Sequence, residues 1–190
     1  MISICSDRRG PLRLPVGGLT DQFARAGADV SRQATTDLSE VLNDVVEELR
    51  PAAEQNRIDL NLEVPRTALL ACSPGVLSSI VSNLVRNAIT HMGARELRQV
   101  RIRVEPGATT EAVRIEVEDT GPGIPEALGD RIFEAFVRGA GADQSGIGLG
   151  LATVKRLVTA HGGNVGFRSR AGLGTLFFVD LPRAQPHRSS

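Results

Sequence analysis

Alternating apolar and polar residues recur in several short segments, and these are interleaved with segments of helical periodicity. A period of two places every second side chain on one face of a sheet, whereas apolar residues three and four apart line one side of a helix. Long stretches of both kinds in one chain restrict the fold to a sheet covered by helices. The predicted strands are Ile58 to Val64, Leu69 to Cys72, Gln99 to Glu105, Ala112 to Glu118, Asn164 to Ser169 and Thr175 to Leu181.

Capping residues and breakers locate the helices between these strands. Thr36 or Asp37 can cap the first helix, and Pro51 inside it is expected to bend it. Pro74 lies in the first turn of the next, where proline is favoured. The helices are therefore predicted from Asp37, from Pro74 to about Gly93, from Pro125 to Gly129 and from Leu149 to His161. This order predicts an α+β fold, a two-layer α/β sandwich with one mixed sheet and helices packed on one face.

Length and composition set the domain count and exclude several classes of protein. A chain of 190 residues, 41% of them hydrophobic, is expected to form one domain at residues 37–183, with an arm at 1–36 and a polar tail at 184–190. Zero net charge and 3% aromatic residues argue against a nucleic-acid partner. Two widely spaced cysteines and the lack of a membrane-spanning apolar run predict a cytoplasmic protein, or the cytoplasmic portion of a membrane-bound protein.

The segment from Asp119 to Ile124 places a carboxylate at a strand end, directly before two glycines that flank a proline. Gly121 and Gly123 let a ligand approach the main chain closely, and the aspartate can accept a hydrogen bond from an amino group. The alternative interpretation is an ordinary Asp-Gly turn.

Asn83 and Asn87 are four residues apart on the second predicted helix, so they share one face. Amide oxygens can serve a hard cation such as Mg²⁺, which usually binds together with substrate phosphates. Two solvent-facing asparagines are the alternative.

Two glycine-rich segments complete the set of candidate motifs. Gly146, Gly148 and Gly150 open the last long helix, where free backbone N–H groups make a phosphate site. A dinucleotide fingerprint is disfavoured because no strand leads directly into them. Gly172 to Thr175 fits a turn between strands, with the Thr175 hydroxyl available to a ligand.

Five motifs in this order resemble the ATP-binding catalytic domain of bacterial sensor histidine kinases, of the GHKL superfamily. The resemblance covers about Asp37 to Pro182, and the ending from Phe177 to Pro182 is similar too. The motifs are Asn83-x-x-x-Asn87, Asp119-x-Gly121-x-Gly123, Phe133-Glu134-x-Phe136, Gly146-x-Gly148-x-Gly150 and Gly172-x-Gly174-Thr175.

The resemblance implies a Bergerat-type fold with a mostly antiparallel sheet that binds ATP and Mg²⁺. It implies that Asn87 holds Mg²⁺, that Asn83 lies near the phosphates and that Asp119 receives the adenine amino group. Phe133 and Phe136 would anchor a lid, and Arg138 would contact phosphate. The implied catalytic residues are Asn83, Asn87 and Arg138, and the implied nucleotide contacts are Asn83, Asn87, His91, Asp119, Gly121, Gly123, Ile124, Phe133, Gly146, Gly148, Leu149, Gly150 and Thr175.

The sequence departs from the family pattern in three places. Thr90 stands where the family often has Lys or Arg, the lid from Val137 to Ser145 is short, and no histidine precedes His91. The phosphoacceptor histidine is therefore expected on a dimerisation domain that acts in trans or is missing from this chain, with a response regulator as the further partner.

Three other functions stay open. ATP hydrolases of the gyrase, chaperone and mismatch-repair types carry a glutamate one turn before the metal-binding Asn, where this chain has Asn83. An amide has no basic lone pair for a proton, which disfavours hydrolysis. Anti-sigma-factor Ser/Thr kinases share that glutamate and generally lack the phenylalanine motif. A nucleotide-binding regulatory module without catalysis is the third.

Overall fold

The structure is a computed structural model that describes residues 35–64, 69–135 and 149–184. Most of the predicted arm, the residues Phe136, Arg138, Gly146 and Gly148, and the tail beyond Ala184 lie outside these ranges. The elements, in chain order, are β1 (Thr36–Asp37), α1 (Leu38–Gln55), β2 (Asp59–Glu63), β3 (Leu69–Leu70), α2 (Pro74–Thr90), β4 (Gln99–Pro106), β5 (Ala112–Asp119), a 3-10 helix (Gly129–Phe133), α3 (Gly150–Ala160), β6 (Asn164–Arg170) and β7 (Gly174–Pro182).

Five strands form the main sheet in the order β2-β4-β5-β7-β6. Only the pair β2–β4 is parallel, and the other three pairs are antiparallel. Val113, Ile115 and Val117 of β5 are fully buried and alternate with half-buried charged residues. The core therefore lies between the sheet and α1, α2 and α3, which confirms the predicted two-layer sandwich.

Two of the residues that predicted helix starts, Asp37 and Pro74, lie where they were expected. Oδ1 of Asp37 accepts the N–H of Ser39 at 2.9 Å, so Asp37 caps α1, and hydrogen bonds from Ser39 lower the pKa of the Asp37 carboxyl. Pro51 lies inside α1, and Pro74 is the first residue of α2. None of the described helices is long and apolar enough to cross a membrane.

The predicted helix from Pro125 to Gly129 is wrong, because the helical turn begins where the prediction ends it. The 3-10 helix contains Ile132 and Phe133, which are 8% and 6% exposed. Phe133 packs edge-on against Phe167 and Phe177, with ring centroids 6.1 and 6.3 Å away. Burial of these side chains in the core fixes the position of the turn, which local signals cannot reveal.

β3 joins the first and last strands of the described fold. Leu70 pairs with Thr36 of β1 and also bridges to Arg183, just beyond β7. Ala71 donates its N–H to the carbonyl oxygen of Pro182 at 3.0 Å. The predicted strand from Leu69 to Cys72 is thus shorter than expected and belongs to a separate two-stranded sheet.

Candidate functional site

Asp119 is the last residue of β5 and is held by two backbone donors. It continues the buried side of that strand and is 8% exposed. Its Oδ1 accepts the N–H of Gly121 at 2.8 Å and that of Thr175 at 3.3 Å. Burial raises the pKa of Asp119 above its ordinary value, against the opposite effect of these hydrogen bonds. Within the described part of the chain, Oδ2 receives no hydrogen bond, so it remains available to a donor from a ligand.

The turn after Asp119 has no room for side chains at its two glycines. A β-carbon at Gly121 would lie 2.8 Å from Oδ1 of Asp119 and 3.1 Å from the carbonyl oxygen of His91. Gly123 has a φ of +78°, and a β-carbon there would lie 2.5 Å from the carbonyl oxygen of Arg170. These contacts bring the turn against both the end of α2 and the end of β6, as close backbone approach requires.

Ser169, near the end of β6, ties this turn to β7. Its Oγ accepts the N–H of Ile124 at 2.7 Å and donates to the carbonyl oxygen of Gly174 at 3.1 Å. Oγ1 of Thr175 lies 3.1 Å from Oγ of Ser169. Sequence reasoning missed Ser169, although its place opposite Thr175 in two paired strands is a signal that could have found it.

Arg95 is a second residue that sequence reasoning missed. Its Nε donates to the carbonyl oxygen of Thr120 at 3.2 Å, and its Nη2 donates to the carbonyl oxygen of Gly172. The N–H of Gly172 in turn donates to the carbonyl oxygen of Pro122 at 2.8 Å. Three loops distant in sequence are thereby joined at the edge of the site, and nothing in the sequence around Arg95 indicates this contact.

Asn83 and Asn87 lie on one face of α2, as predicted, and Asn83 faces the start of α3. Nδ2 of Asn83 donates to the carbonyl oxygen of Ser79 at 2.8 Å, which directs Oδ1 away from its own helix. A β-carbon at Gly150 would lie 3.0 Å from that Oδ1. The residue pair thus sets a close approach of α2 to the first turn of α3, where free N–H groups can meet an anion.

Asn87 has the properties that an oxygen ligand for Mg²⁺ requires. It is half-buried, and within the described ranges its side chain makes no hydrogen bond that would occupy its carbonyl oxygen. Mg²⁺ needs only one or two protein ligands when phosphates and water supply the others. The amide oxygen of Asn87 therefore fits the type of ligand that Mg²⁺ accepts from a protein.

The remaining predicted residues lie outside the arrangements described so far. His91 caps the C-terminus of α2, where its N–H donates to the carbonyl oxygen of Asn87 at 3.0 Å. Phe133 lies in the hydrophobic core, and Leu149 precedes α3 with 41% of its surface exposed. Arg138, Gly146 and Gly148 fall outside the described residues.

The structure therefore brings most described candidates into two clusters that α2 connects. One cluster contains Asp119, Gly121, Gly123, Ile124 and Thr175, beside the C-terminal end of α2. The other contains Asn83 of α2, eight residues before His91, and Gly150 at the start of α3. Eight residues correspond to about 12 Å of helix, so the site suits an elongated ligand with a donor group at one end and negative charge at the other.

Comparison with known proteins assigns the same region to one family. Residues 73–185 match the family described as histidine kinase-, DNA gyrase B-, and HSP90-like ATPase. The sensor histidine kinase AruS of Pseudomonas aeruginosa is 37% identical in an alignment of 169 positions that covers 85% of this chain and 17% of AruS. The chain thus spans about a sixth of that relative's length.

Two solved structures have the same fold. A mycobacterial sensor histidine kinase, MprB, superposes with a TM-score of 0.68 at 26% identity, over 80% of this chain and 97% of the MprB chain. Full-length ShkA, solved in complex with AMPPNP, superposes with a TM-score of 0.70 at 30% identity, over 88% of this chain and 35% of ShkA.

Proposed function

Because this chain belongs to the histidine kinase-, DNA gyrase B-, and HSP90-like ATPases, as the ATP-binding catalytic domain of a sensor histidine kinase, we propose that it transfers the γ-phosphoryl group of Mg·ATP to a histidine of a dimerisation domain. The observation that carries the proposal is the buried carboxylate of Asp119, fixed by Gly121 and Thr175 at one end of α2, with Asn83 and Asn87 along the same helix. The phosphorylated histidine would then supply a response regulator. Since its donor is ATP, the site is proposed to work in the cytoplasm.

Each cluster has a proposed part of the nucleotide to bind. Oδ2 of Asp119 accepts the adenine amino group, while Gly121, Gly123, Ile124 and Thr175 form the wall around the base. His91 borders this pocket at the end of α2. The proposed phosphate contacts are Asn83, Asn87, Leu149 and Gly150, together with Arg138, Gly146 and Gly148 outside the described residues. Phe133 lies in the core beside α3, with Nζ of Lys155 5.9 Å from its ring centroid.

Phosphoryl transfer depends mainly on positioning and on stabilisation of charge. Asn87 would hold Mg²⁺, which neutralises charge on the phosphate oxygens when bound. The first turn of α3 adds backbone N–H groups and the positive end of its dipole. These groups orient the phosphates for an incoming imidazole nitrogen, which a separate domain must present.

Asn83 argues against hydrolysis as the main reaction. Its Nδ2 is engaged by the carbonyl oxygen of Ser79, and its Oδ1 faces Gly150. An amide oxygen does not take a proton from water near neutral pH, so the residue cannot serve as a general base. Slow ATP turnover by the isolated chain is the expected consequence.

Incubation with γ-labelled ATP tests the proposal directly. We expect the chain alone to bind ATP without stable labelling, and acid-labile label to appear on an added histidine-bearing dimerisation domain. Asn87→Ala should abolish transfer, whereas Asn43→Ala, an exposed amide on α1, should leave it unchanged.

The other outcomes of this experiment assign other functions. Rapid release of phosphate would support a hydrolase. Binding without transfer to any histidine domain would support a nucleotide-binding regulatory module.

A further inference from the structure

One hydroxyl, that of Ser169, contacts two of the segments around the proposed base pocket: the turn after β5 and the start of β7. Its Oγ accepts the N–H of Ile124 at 2.7 Å, in the turn after β5. The same oxygen lies 3.1 Å from the carbonyl oxygen of Gly174 and 3.1 Å from Oγ1 of Thr175, both at the start of β7. Thr175 donates its own N–H to Oδ1 of Asp119 at 3.3 Å. Ser169 is thus two hydrogen bonds away from the carboxylate that is proposed to recognise adenine.

The position of Ser169 is fixed by the sheet and by a glycine. Ser169 pairs with Thr175 in the β6–β7 register, on the same side of β6 as Phe167. A β-carbon at Gly123 would lie 3.1 Å from Oγ of Ser169, so the turn after β5 packs directly on this hydroxyl. Because backbone on both sides restricts it, the hydroxyl has little freedom to leave its partners.

The number of hydrogen bonds that the Ser169 hydroxyl can make determines whether the Thr175 hydroxyl donates or accepts a hydrogen bond in the pocket. A serine hydroxyl has one hydrogen and two lone pairs, and the N–H of Ile124 uses one lone pair. If the hydrogen points to Gly174, Thr175 donates to Ser169 and presents only an acceptor to the pocket. If the hydrogen points to Thr175, the Thr175 hydroxyl can donate into the pocket. In both arrangements, the partner on β6 sets what Thr175 offers to a ligand.

We propose that Ser169 is a positioning residue for adenine recognition: it holds the Ile124 backbone and the Thr175 hydroxyl so that Asp119 and Thr175 read the amino-bearing edge of the base. The proposal rests on the proposed function, in which the ligand is an adenine nucleotide. Without the hydroxyl, the N–H of Ile124 and the hydroxyl of Thr175 both lose a partner. The turn after β5 and the start of β7 then lose the hydroxyl that joins them, and the preference of the pocket for adenine over other bases should fall.

This role can be tested by a thermodynamic cycle in which the binding of two ligands, with and without the 6-amino group, is measured for the native chain and for variants of Ser169. ATP and purine riboside 5′-triphosphate differ only in the 6-amino group, so the ratio of their dissociation constants measures recognition of that group. The full chain should prefer ATP by roughly tenfold or more, the effect of one well-made buried hydrogen bond. Ser169→Ala should bring the ratio near one, Ser169→Thr should keep it, and Arg168→Ala, on the opposite face of β6, should not change it.

The outcomes separate this inference from the proposed function. A native chain that binds neither ligand, or binds both equally, overturns the adenine assignment itself. If the native chain prefers ATP and a folded Ser169→Ala prefers it equally well, the role of Ser169 is overturned. The effects of the substitution and of the missing 6-amino group would then be additive, which means that Ser169 and that amino group are not coupled. If Ser169→Ala does not fold, Ser169→Cys keeps the size of the side chain with a much weaker hydrogen-bonding group, and an unchanged ratio there counts equally against the proposal.

Discussion

A β-carbon on Gly174 would overlap the carbonyl oxygen of Asp119. The two residues meet where β5 and β7 begin their pairing, and Gly174 has a φ of +104° there. The positive φ of Gly174 and the lack of room for a β-carbon thus both require glycine at this position, directly beside the candidate pocket. The last strand can approach Asp119 closely enough for Thr175 to donate its N–H only because this position has no side chain.

Replacing Gly174 by alanine should therefore destabilise the fold by at least about 2 kcal/mol, from the positive φ and the overlap together. Urea unfolding of the native chain and the variant measures the difference. Gly75→Ala is the matched control, since Gly75 lies in the first turn of α2, has no positive φ, and leaves open space within 4 Å of the position that the alanine methyl group would take. Equal stability of Gly174→Ala and the native chain would contradict the close packing described above.

Asp119→Asn should reverse the hydrogen-bonding character of the pocket. The N–H groups of Gly121 and Thr175 require an oxygen at the Oδ1 position, so the new amide must place its NH₂ group where Oδ2 was. That group opposes the adenine amino group and suits the carbonyl oxygen of guanine. Competition titrations should show the native chain preferring ATP over GTP by at least about tenfold, and the variant losing that preference.

The control for this substitution is Asp44→Asn, on the exposed side of α1, which should keep the preference. An Asp119→Asn chain that still prefers ATP tenfold would mean that the base binds elsewhere.

The pKa of Asp119 predicts how stability changes with pH. Burial raises this pKa above the ordinary 3.8, so between the two values the folded chain binds more protons than the unfolded chain. The contribution of Asp119 to the free energy of unfolding should consequently fall as pH rises from about 3.8 through the raised pKa, and level off above it. Subtracting the pH profile of Asp119→Asn from the native profile isolates this residue. A difference that is flat, or that grows with pH, would show that the carboxyl is not desolvated.

Asn87→Ala should remove magnesium-dependent nucleotide binding. Ligand at about a hundred times its dissociation constant stabilises a folded chain by roughly 2.7 kcal/mol, which a thermal melt detects. The native chain should show this shift with Mg·ATP and a smaller one with ATP and a chelator. Asn43→Ala, which deletes an amide bonded to the carbonyl four residues earlier, should behave as the native chain. An undiminished shift for Asn87→Ala would remove Asn87 from the metal site.

The sheet could be predicted from sequence because its signals are local. Alternation identified β4 and β5 to within one residue at each end, and Ser73 with Pro74 correctly located the start of α2. The 3-10 helix was misplaced because its position depends on the packing of Phe133 against two other strands. Periodicity carries no information about such contacts.

The candidate site was only partly accessible to sequence reasoning. Asp119 and the glycines could be recognised because strained or closely packed turns restrict residue type locally. Arg95 acts on carbonyl groups many positions away, so any arginine looks the same in the sequence. Ser169 could have been found only by working out the register in which its strand pairs with the strand that contains Thr175. The nucleotide contacts of the predicted residues remain predictions for the experiments above.

Because β3 lies between β1 and the residue that follows β7, the first and last strands of the described fold end close together. Thr36 and Arg183 both pair with Leu70, so the two ends of the fold lie about two strand spacings, roughly 10 Å, apart. A linker of a few residues could join them, and the chain could be reopened at the exposed loop between β4 and β5 without breaking a strand pair. Such a circular permutant should fold, and its nucleotide site should be intact, because none of the residues around Asp119 lies at either junction.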